Sequence, residues 1–450
     1  MLLLILPHQL YRTTYLNGHI NRMKDTIVLW EHPQYFTAYN FNKKKLILHR
    51  SSMKYYYDML KTKKYNVEYV EFQDTFPYDE YIMFDPIDDN VMIRKITKQA
   101  SNIICSPNFI LTKEQYKIYR DKTESIIFNN FYLFFKKEIN LYPELKSLDK
   151  MNRTKYNKNI KIDTTMPHIS KTDTKYITEA CIYITKYFPN NCGNIDNMIY
   201  PVTHTTAKKW FTNFINTKLK NFGSYEDLVI YNYTDNNNTD NNNTTNSFMY
   251  HSVLSSSINI GLLNPNEIIE VLKKVKDTIP LNSFEGYLRQ LFWREYQRYT
   301  YIYVDFDKNY FGNTKKLNKD WYDGTLGIPP IDKMIIDGFD KGYIHHIGRL
   351  MFIGNFMNLS GIAPLQGFKW FMEFSIDSYE WVMKQNVLDM VFFVTGGLTM
   401  RRPYISSSNY ILQMSNIIKG KWVEEWDELY YRFIKLHHKK LWKFRYYIKL

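Results

Sequence analysis

Residues 343–356 read YIHHIGRLMFIGNF and put two adjacent imidazoles, His345 and His346, and the guanidinium of Arg349 into an otherwise apolar, helix-like stretch. Imidazole is the side chain that gives and takes protons near neutral pH, so a pair of them against an apolar wall could serve proton transfer. The same pair is also explained without chemistry, as one core ring hydrogen-bonded to backbone beside one exposed ring. An arginine among leucine, methionine and phenylalanine needs a carboxylate, and Asp377 in FSIDSYEW is the candidate.

Three further segments carry polar groups at telling spacings. In FEGYLRQLFWREYQRYTY, residues 284–301, a helical spacing puts Glu285, Arg289 and Trp293 on one face with Arg294 beside them, and an ordinary i,i+4 ion pair is the plain alternative. In YHSVLSSSINIGLLNP, residues 250–265, serines open an apolar segment. Their hydroxyls and the free N–H groups of a helix start can hold a phosphate, although N-capping accounts for a single serine equally well. In GGLTMRRPYISSSNY, residues 396–410, a glycine turn leads into the basic pair Arg401 and Arg402, a proline and Tyr404, which reads as a loop with a phosphate-contact face.

These segments need a large scaffold, and 450 residues with 44% apolar side chains can provide one. The opening 130 residues alternate short apolar or β-branched runs (LLLIL, TIVLW, NVEYVEF, YIMF) with helix-length segments, the βαβ pattern of a doubly wound domain. We expect an α/β Rossmann-like domain over 1–135, a polar linker over 136–180 and an all-helical domain over 181–450, the last interrupted by a low-complexity, disordered Asn-rich insertion at 232–246. The apolar start MLLLILPHQL lacks a basic leader and is too short to span a membrane, so it reads as a first buried strand.

A surplus of 14 positive charges favours a polyanionic partner such as DNA. Cys105, Cys181 and Cys192 show no C-x-x-C spacing, which argues against a disulfide framework or a cysteine-held metal and for a reducing, intracellular compartment. No metal ligands are expected, and a monomer is.

Taken in order, EGYLRQLFWREYQR, HHIGRLMFIGNF and the DSYEWV, GGL, PY, SSSNYI and MS pieces resemble the photolyase and cryptochrome superfamily, in its branch of iron-sulfur bacterial cryptochromes and photolyases. The resemblance implies FAD in the helical domain and light-driven electron transfer that repairs ultraviolet-damaged DNA. Near the diphosphate and ribityl chain it places Tyr225, Leu254, Ser255 and Ser256. Along the cofactor pocket it places Glu285, Arg289, Trp293, Asn355 and Asn386, with Arg349 and Asp377 as the ion pair beside the isoalloxazine ring. His346 matches the proton-transferring histidine of members specific for the pyrimidine (6-4) pyrimidone lesion, with His345 beside it and Tyr404 facing the lesion. Trp370 and Trp321 match an electron-transfer chain, and Arg294, Arg401 and Arg402 are expected to meet DNA. Glu31 and Lys43 lie where the branch holds an antenna chromophore, commonly 6,7-dimethyl-8-ribityllumazine; the run Lys43 to Lys45 reads equally well as a solvated charge run.

The chain departs from the branch at Ile418 and Lys421, which replace two cluster-ligating cysteines, so no iron-sulfur cluster is expected. Met383 stands where an acidic residue would face the flavin, and Phe371 follows Trp370 where relatives carry tyrosine. The resulting expectation is a (6-4) photolyase, with a cyclobutane-dimer photolyase or a cryptochrome-like photoreceptor as the alternatives.

Overall fold

Leu3, Leu4 and Ile5 have no exposed surface, because the strand they belong to has a partner on each side and is covered on both faces. The computed structural model describes residues 1–160, 166–230 and 248–448; the Asn-rich insertion expected at 232–246 lies outside them. Strands β1 (Leu2–Ile5), β2 (Thr26–Trp30), β3 (Asn66–Val70), β4 (Ile82–Phe84) and β5 (Asn102–Ile104) form one parallel sheet in the order β3-β2-β1-β4-β5. Leu3 stands opposite Ile27, and Leu29 opposite Tyr69. The order changes direction at β1, which brings the loops after β1, β2 and β4 together at one end of the sheet.

The helix Lys43–Thr62 links β2 to β3, and Asn42 caps it by accepting the Lys44 N–H. Its start docks on the helical half. Asn42 Nδ2 donates to the Phe339 carbonyl at 2.7 Å, and the buried Lys45 ammonium donates to Ser378 Oγ at 2.9 Å. Lys44 and Lys45 are therefore not part of a solvated charge run, and burial lowers the Lys45 pKa to about 7. The helix Lys171–Tyr187, in the segment expected to be linker, starts at a Ser170/Asp173 capping box and lies along Lys43–Thr62. Arg50 reaches Glu179 at 2.7 Å across that contact. The polarity of residues 171–187 thus belongs to the outer face of a packed helix.

Beyond residue 200 the described chain is helical apart from loops, and outside the sheet only the isolated bridges Val229–Ser415 and Lys315–Ile362 occur among the described residues. The helix Leu281–Tyr303 runs through the middle of this half. Phe284, Leu288, Phe292, Tyr296 and Tyr299 follow its period and are buried, and Tyr287 and Leu291 bury an adjoining face, so helices surround it. No helix among the described residues is long and apolar enough to cross a membrane.

Candidate active site

A cavity of about 660 Å³ opens in the helical half. Its wall combines the Leu281–Tyr303 helix with two segments, Gly348–Gly354 and Lys384–Val391, that wind as π-helix. Such widened turns recur at functional sites because they re-aim side chains. A Cβ on Gly354 would stand 2.5 Å from Val391 Cγ2, so the two π segments can meet only where a side chain is absent.

Arg349 and Asp377 form a two-pronged ion pair on this wall, Nη1 to Oδ1 at 2.9 Å and Nη2 to Oδ2 at 3.3 Å. Arg349 Nε donates to the Ile344 carbonyl. Asp377 also accepts from Ser255 Oγ at 2.5 Å and from Ser375 Oγ. Burial works to raise the Asp377 carboxyl, but the Arg349 charge and these hydrogen bonds outweigh it and hold the pKa below the ordinary carboxylate value.

On the same cavity Arg289 pairs with Asp149 at 2.8 Å and Glu226 at 3.3 Å, so the i,i+4 partner Glu285 is not the one it takes. Trp293 Nε1 donates to Asn386 Oδ1 at 3.0 Å. Met383 and Phe371 give apolar wall. His346, its side chain 40% exposed, stands with Nε2 3.8 Å from Asp227 Oδ1. Arg402 lies over the Tyr404 and Tyr447 rings and makes no ion pair among the described residues.

A family model described as deoxyribodipyrimidine photo-lyase-related protein matches residues 3–200. Over 250 residues the chain is 35% identical to a (6-4) photolyase of Agrobacterium fabrum; the match covers 54% of this chain but only 46% of that protein, so it spans less than half of the relative's length. Two solved structures share the fold over nearly the whole chain. A class III photolyase from Agrobacterium tumefaciens superposes with TM-score 0.56 at 14% identity, covering 96% of this chain and 86% of that one. A cryptochrome from Synechocystis does so with TM-score 0.61 at 13% identity, covering 97% and 88%.

Residues 3–200 match the photolyase-related family, and the fold is the one that photolyases and cryptochromes share.

Of the residues that the superfamily resemblance singles out, Leu254, Ser255, Arg289, Trp293, Arg349, Asp377, Met383, Asn386, His346 and Tyr404 share the one cavity. Others stand elsewhere. Tyr225 stacks on Tyr250 in a separate small cluster, because the chain turns there and offers the next two residues, Glu226 and Asp227, to the cavity instead. Ser256 is buried off the wall, and Glu285 is also off it, accepting the Leu148 N–H at 3.0 Å. Asn355 clamps the Ser406 backbone by donating to its carbonyl at 3.1 Å and accepting its N–H at 3.3 Å.

His345 is buried off the cavity wall, its ring stacked at 4.6 Å on that of His251, which does line the cavity, and burial followed by the neighbouring His346 lowers its pKa to about 3. Arg294, which the resemblance put along the pocket and expected to meet DNA, lines the cavity but is 9% exposed, and it donates to Asn259 Oδ1 and the Asn108 carbonyl, so its donors are directed inward and not to a DNA face. Of the basic pair, Arg401 is exposed and Arg402 half-buried.

In the first domain, Glu31 is fully buried and already engaged by Arg50, the Tyr69 hydroxyl and the Phe72 N–H. Lys43 heads its helix, and its backbone N–H donates to the Cys192 carbonyl at 2.9 Å. Ile418 and Lys421 present no thiolate, and the residues there do not fit an iron-sulfur cluster.

Trp370 is buried, with Nε1 donating to the Trp321 carbonyl at 2.7 Å, and its ring is 5.1 Å from that of Phe371 on the cavity wall. The aromatic run goes further than the two tryptophans singled out in sequence: Trp321 touches Phe356 at 5.7 Å, Phe356 touches Trp426 at 5.2 Å, and Trp426 touches Trp422 at 6.2 Å. Sequence reasoning also missed His251, Glu226 and Asp227. The adjacent acids in SYEDL and the histidine just ahead of the serine run were the available signals.

Proposed function

We propose that this chain is a flavin-dependent DNA photolyase acting on ultraviolet photoproducts, with the pyrimidine (6-4) pyrimidone lesion as its main substrate. The observation that carries the reading is one cavity that joins a buried, fully engaged Arg349–Asp377 pair to a more exposed side with His346, Tyr404 and Arg402. Its volume lies within the range of about 300–1,000 Å³ usual for ligand sites.

The residues fit FAD: a cation fixed in place, hydroxyl and amide groups at Ser255 and Asn386, and apolar wall from Phe371, Met383 and Val387. When bound and reduced, FAD supplies the photoexcited electron. Everything else is the work of the chain. Arg349, held at three atoms, is a positive charge that cannot swing away and that electrostatically favours an anionic ring beside it. Ser255 ties the start of its short helix to Asp377, so the pair and the serine segment hold each other in place. Phe371 and Met383 keep water from that wall. His346, oriented by Asp227, offers a proton to a base turned out of the duplex, and burial raises the Tyr404 pKa, which keeps its hydroxyl a hydrogen-bond donor. Arg401 and Arg402 meet backbone phosphate.

The test is a visible spectrum of the purified protein, then illumination of the reduced protein with oligonucleotides that each carry one defined lesion. Loss of the (6-4) product in wild type, and its persistence with His346→Ala at unchanged FAD content, is expected. A colourless protein that cannot be reconstituted with FAD refutes the proposal. Photoreduction and DNA binding without loss of either lesion would replace it with the photoreceptor reading.

A further inference from the structure

We infer that His251, His345 and His346 form a binding site for a first-row transition cation of the zinc type, set against the cavity and sharing His346 with it. The inference that this site competes with repair rests on the photolyase reading; the existence of the site does not.

One ring nitrogen from each of the three histidines lies within 4.8 Å of the other two. The fold brings them together from distant parts of the chain. His345 and His346 immediately precede the Gly348–Gly354 segment, and His251 precedes the helix Ser255–Asn259. His251 stacks on His345 at 4.6 Å and 18°, and meets His346 at 5.4 Å and 74°.

The second observation concerns hydrogen bonding. His251 Nε2 and both ring nitrogens of His345 are buried and have no hydrogen-bond partner among the described residues. Buried polar nitrogens are normally paired, and a ring with both nitrogens unpaired is a group built for a partner the protein itself does not supply.

The donor set selects the cation. Three imidazoles without thiolate suit zinc, copper, nickel or cobalt, whereas magnesium and calcium prefer oxygen. Three protein ligands leave one position open in a tetrahedral site. Asp227, 3.8 Å from His346 Nε2, supplies negative charge at that edge, while Lys218 near His251 and Arg349 near His345 oppose a cation. Zn–N bonds of about 2.0–2.1 Å place tetrahedral ligand nitrogens about 3.4 Å apart, so the rings must close on the ion by roughly 1 Å. His346 is the most exposed of the three and can make that movement. A ring committed to a metal cannot serve the lesion, so Zn²⁺ should suppress (6-4) repair.

The experiment uses the full chain, free of affinity tags and stripped by chelator. Zn²⁺ is titrated calorimetrically in the dark, and bound metal is counted after gel filtration. Cu²⁺ serves as a second probe, read by electron paramagnetic resonance for imidazole nitrogen couplings. The expected result is one Zn²⁺ per chain, weakened at least tenfold by His251→Gln and by His346→Gln, with imidazole couplings in the Cu²⁺ spectrum. The His346 variant changes a partly exposed side chain and keeps the test sound if the buried change disturbs folding. Retention of no Zn²⁺ by wild type, or equal affinity in wild type and both variants, overturns the site. Repair unaffected by saturating Zn²⁺ overturns the competition alone, and a metal-free protein that repairs nothing overturns the photolyase reading while the binding result stands.

Discussion

Replacing Arg349 by Met keeps an unbranched stem of similar length but removes the guanidinium, which strands Asp377 with its side chain 8% exposed. Removing one partner of a buried pair costs about 3–5 kcal/mol, because the remaining charge is neither solvated nor paired. Ser255 and Ser375 still donate to Asp377, so the low end, about 3 kcal/mol, is expected at pH 7. At about 1.4 kcal/mol per factor of ten, the folded-to-unfolded ratio falls by about two orders of magnitude. Asp377 is a carboxyl held below its ordinary pKa, so its contribution is present above that ordinary value and is lost as pH falls through the folded one. In the variant the stranded carboxyl takes up a proton more readily, and the gap between the two proteins narrows as pH falls from 7 toward about 4. Denaturant unfolding of both proteins across that range measures the gap, and flavin retained after gel filtration reports on the pocket. Adding Asp377→Asn should restore more than half of the loss. A loss under about 1 kcal/mol at pH 7, or a double variant less stable than the single one, would refute the reasoning.

Gly354→Ala should destabilise by about 1–3 kcal/mol, read as a lowered melting temperature, because its Cβ would meet Val391 at 2.5 Å between the two π segments. The His8 ring is buried and its Nε2 donates to the Pro86 carbonyl at 2.9 Å; burial lowers its pKa to about 4 from 6.5. Its unfolded form binds a proton first, so stability should fall as pH drops from about 6.5 to 4, by up to about 3 kcal/mol for this ring, and His8→Gln should flatten that slope in pH-dependent melting. If Arg401 and Arg402 each neutralise a phosphate, changing both to Ala should lower the salt-dependence slope of duplex binding by about 1.8 without changing sequence preference. An unchanged slope would place the DNA face elsewhere.

The strands and the Lys43–Thr62 helix were legible in the sequence because their apolar periods are local: LLLIL and TIVLW have no exposed face to declare, and the helix alternates with them. The Arg349–Asp377 pair was legible too, since a charge in an apolar run must have a partner and FSIDSYEW offered one. Glu285, Tyr225 and Asn355, which the resemblance put on the pocket, stand off the cavity wall for a common reason. Sequence spacing says which residues share a turn, whereas facing the cavity depends on which neighbouring element takes the rest of the turn. Leu148 claims Glu285, Tyr250 claims Tyr225, and Ser406 claims Asn355.

The buried lysines at the start of the first helix make the same point about charge: the interior Lys45 ammonium hydrogen-bonds to Ser378, more than 300 residues later. The His-His pair shows the division most plainly. The sequence by itself determined that two imidazoles and an arginine would sit in an apolar helical stretch, and that the arginine would need Asp377. Only the tertiary structure decided that His346 would face the cavity, that His345 would lie buried off its wall, and that His251 would join them. Those outcomes depend on packing between segments about 90 residues apart, and no local period encodes such packing.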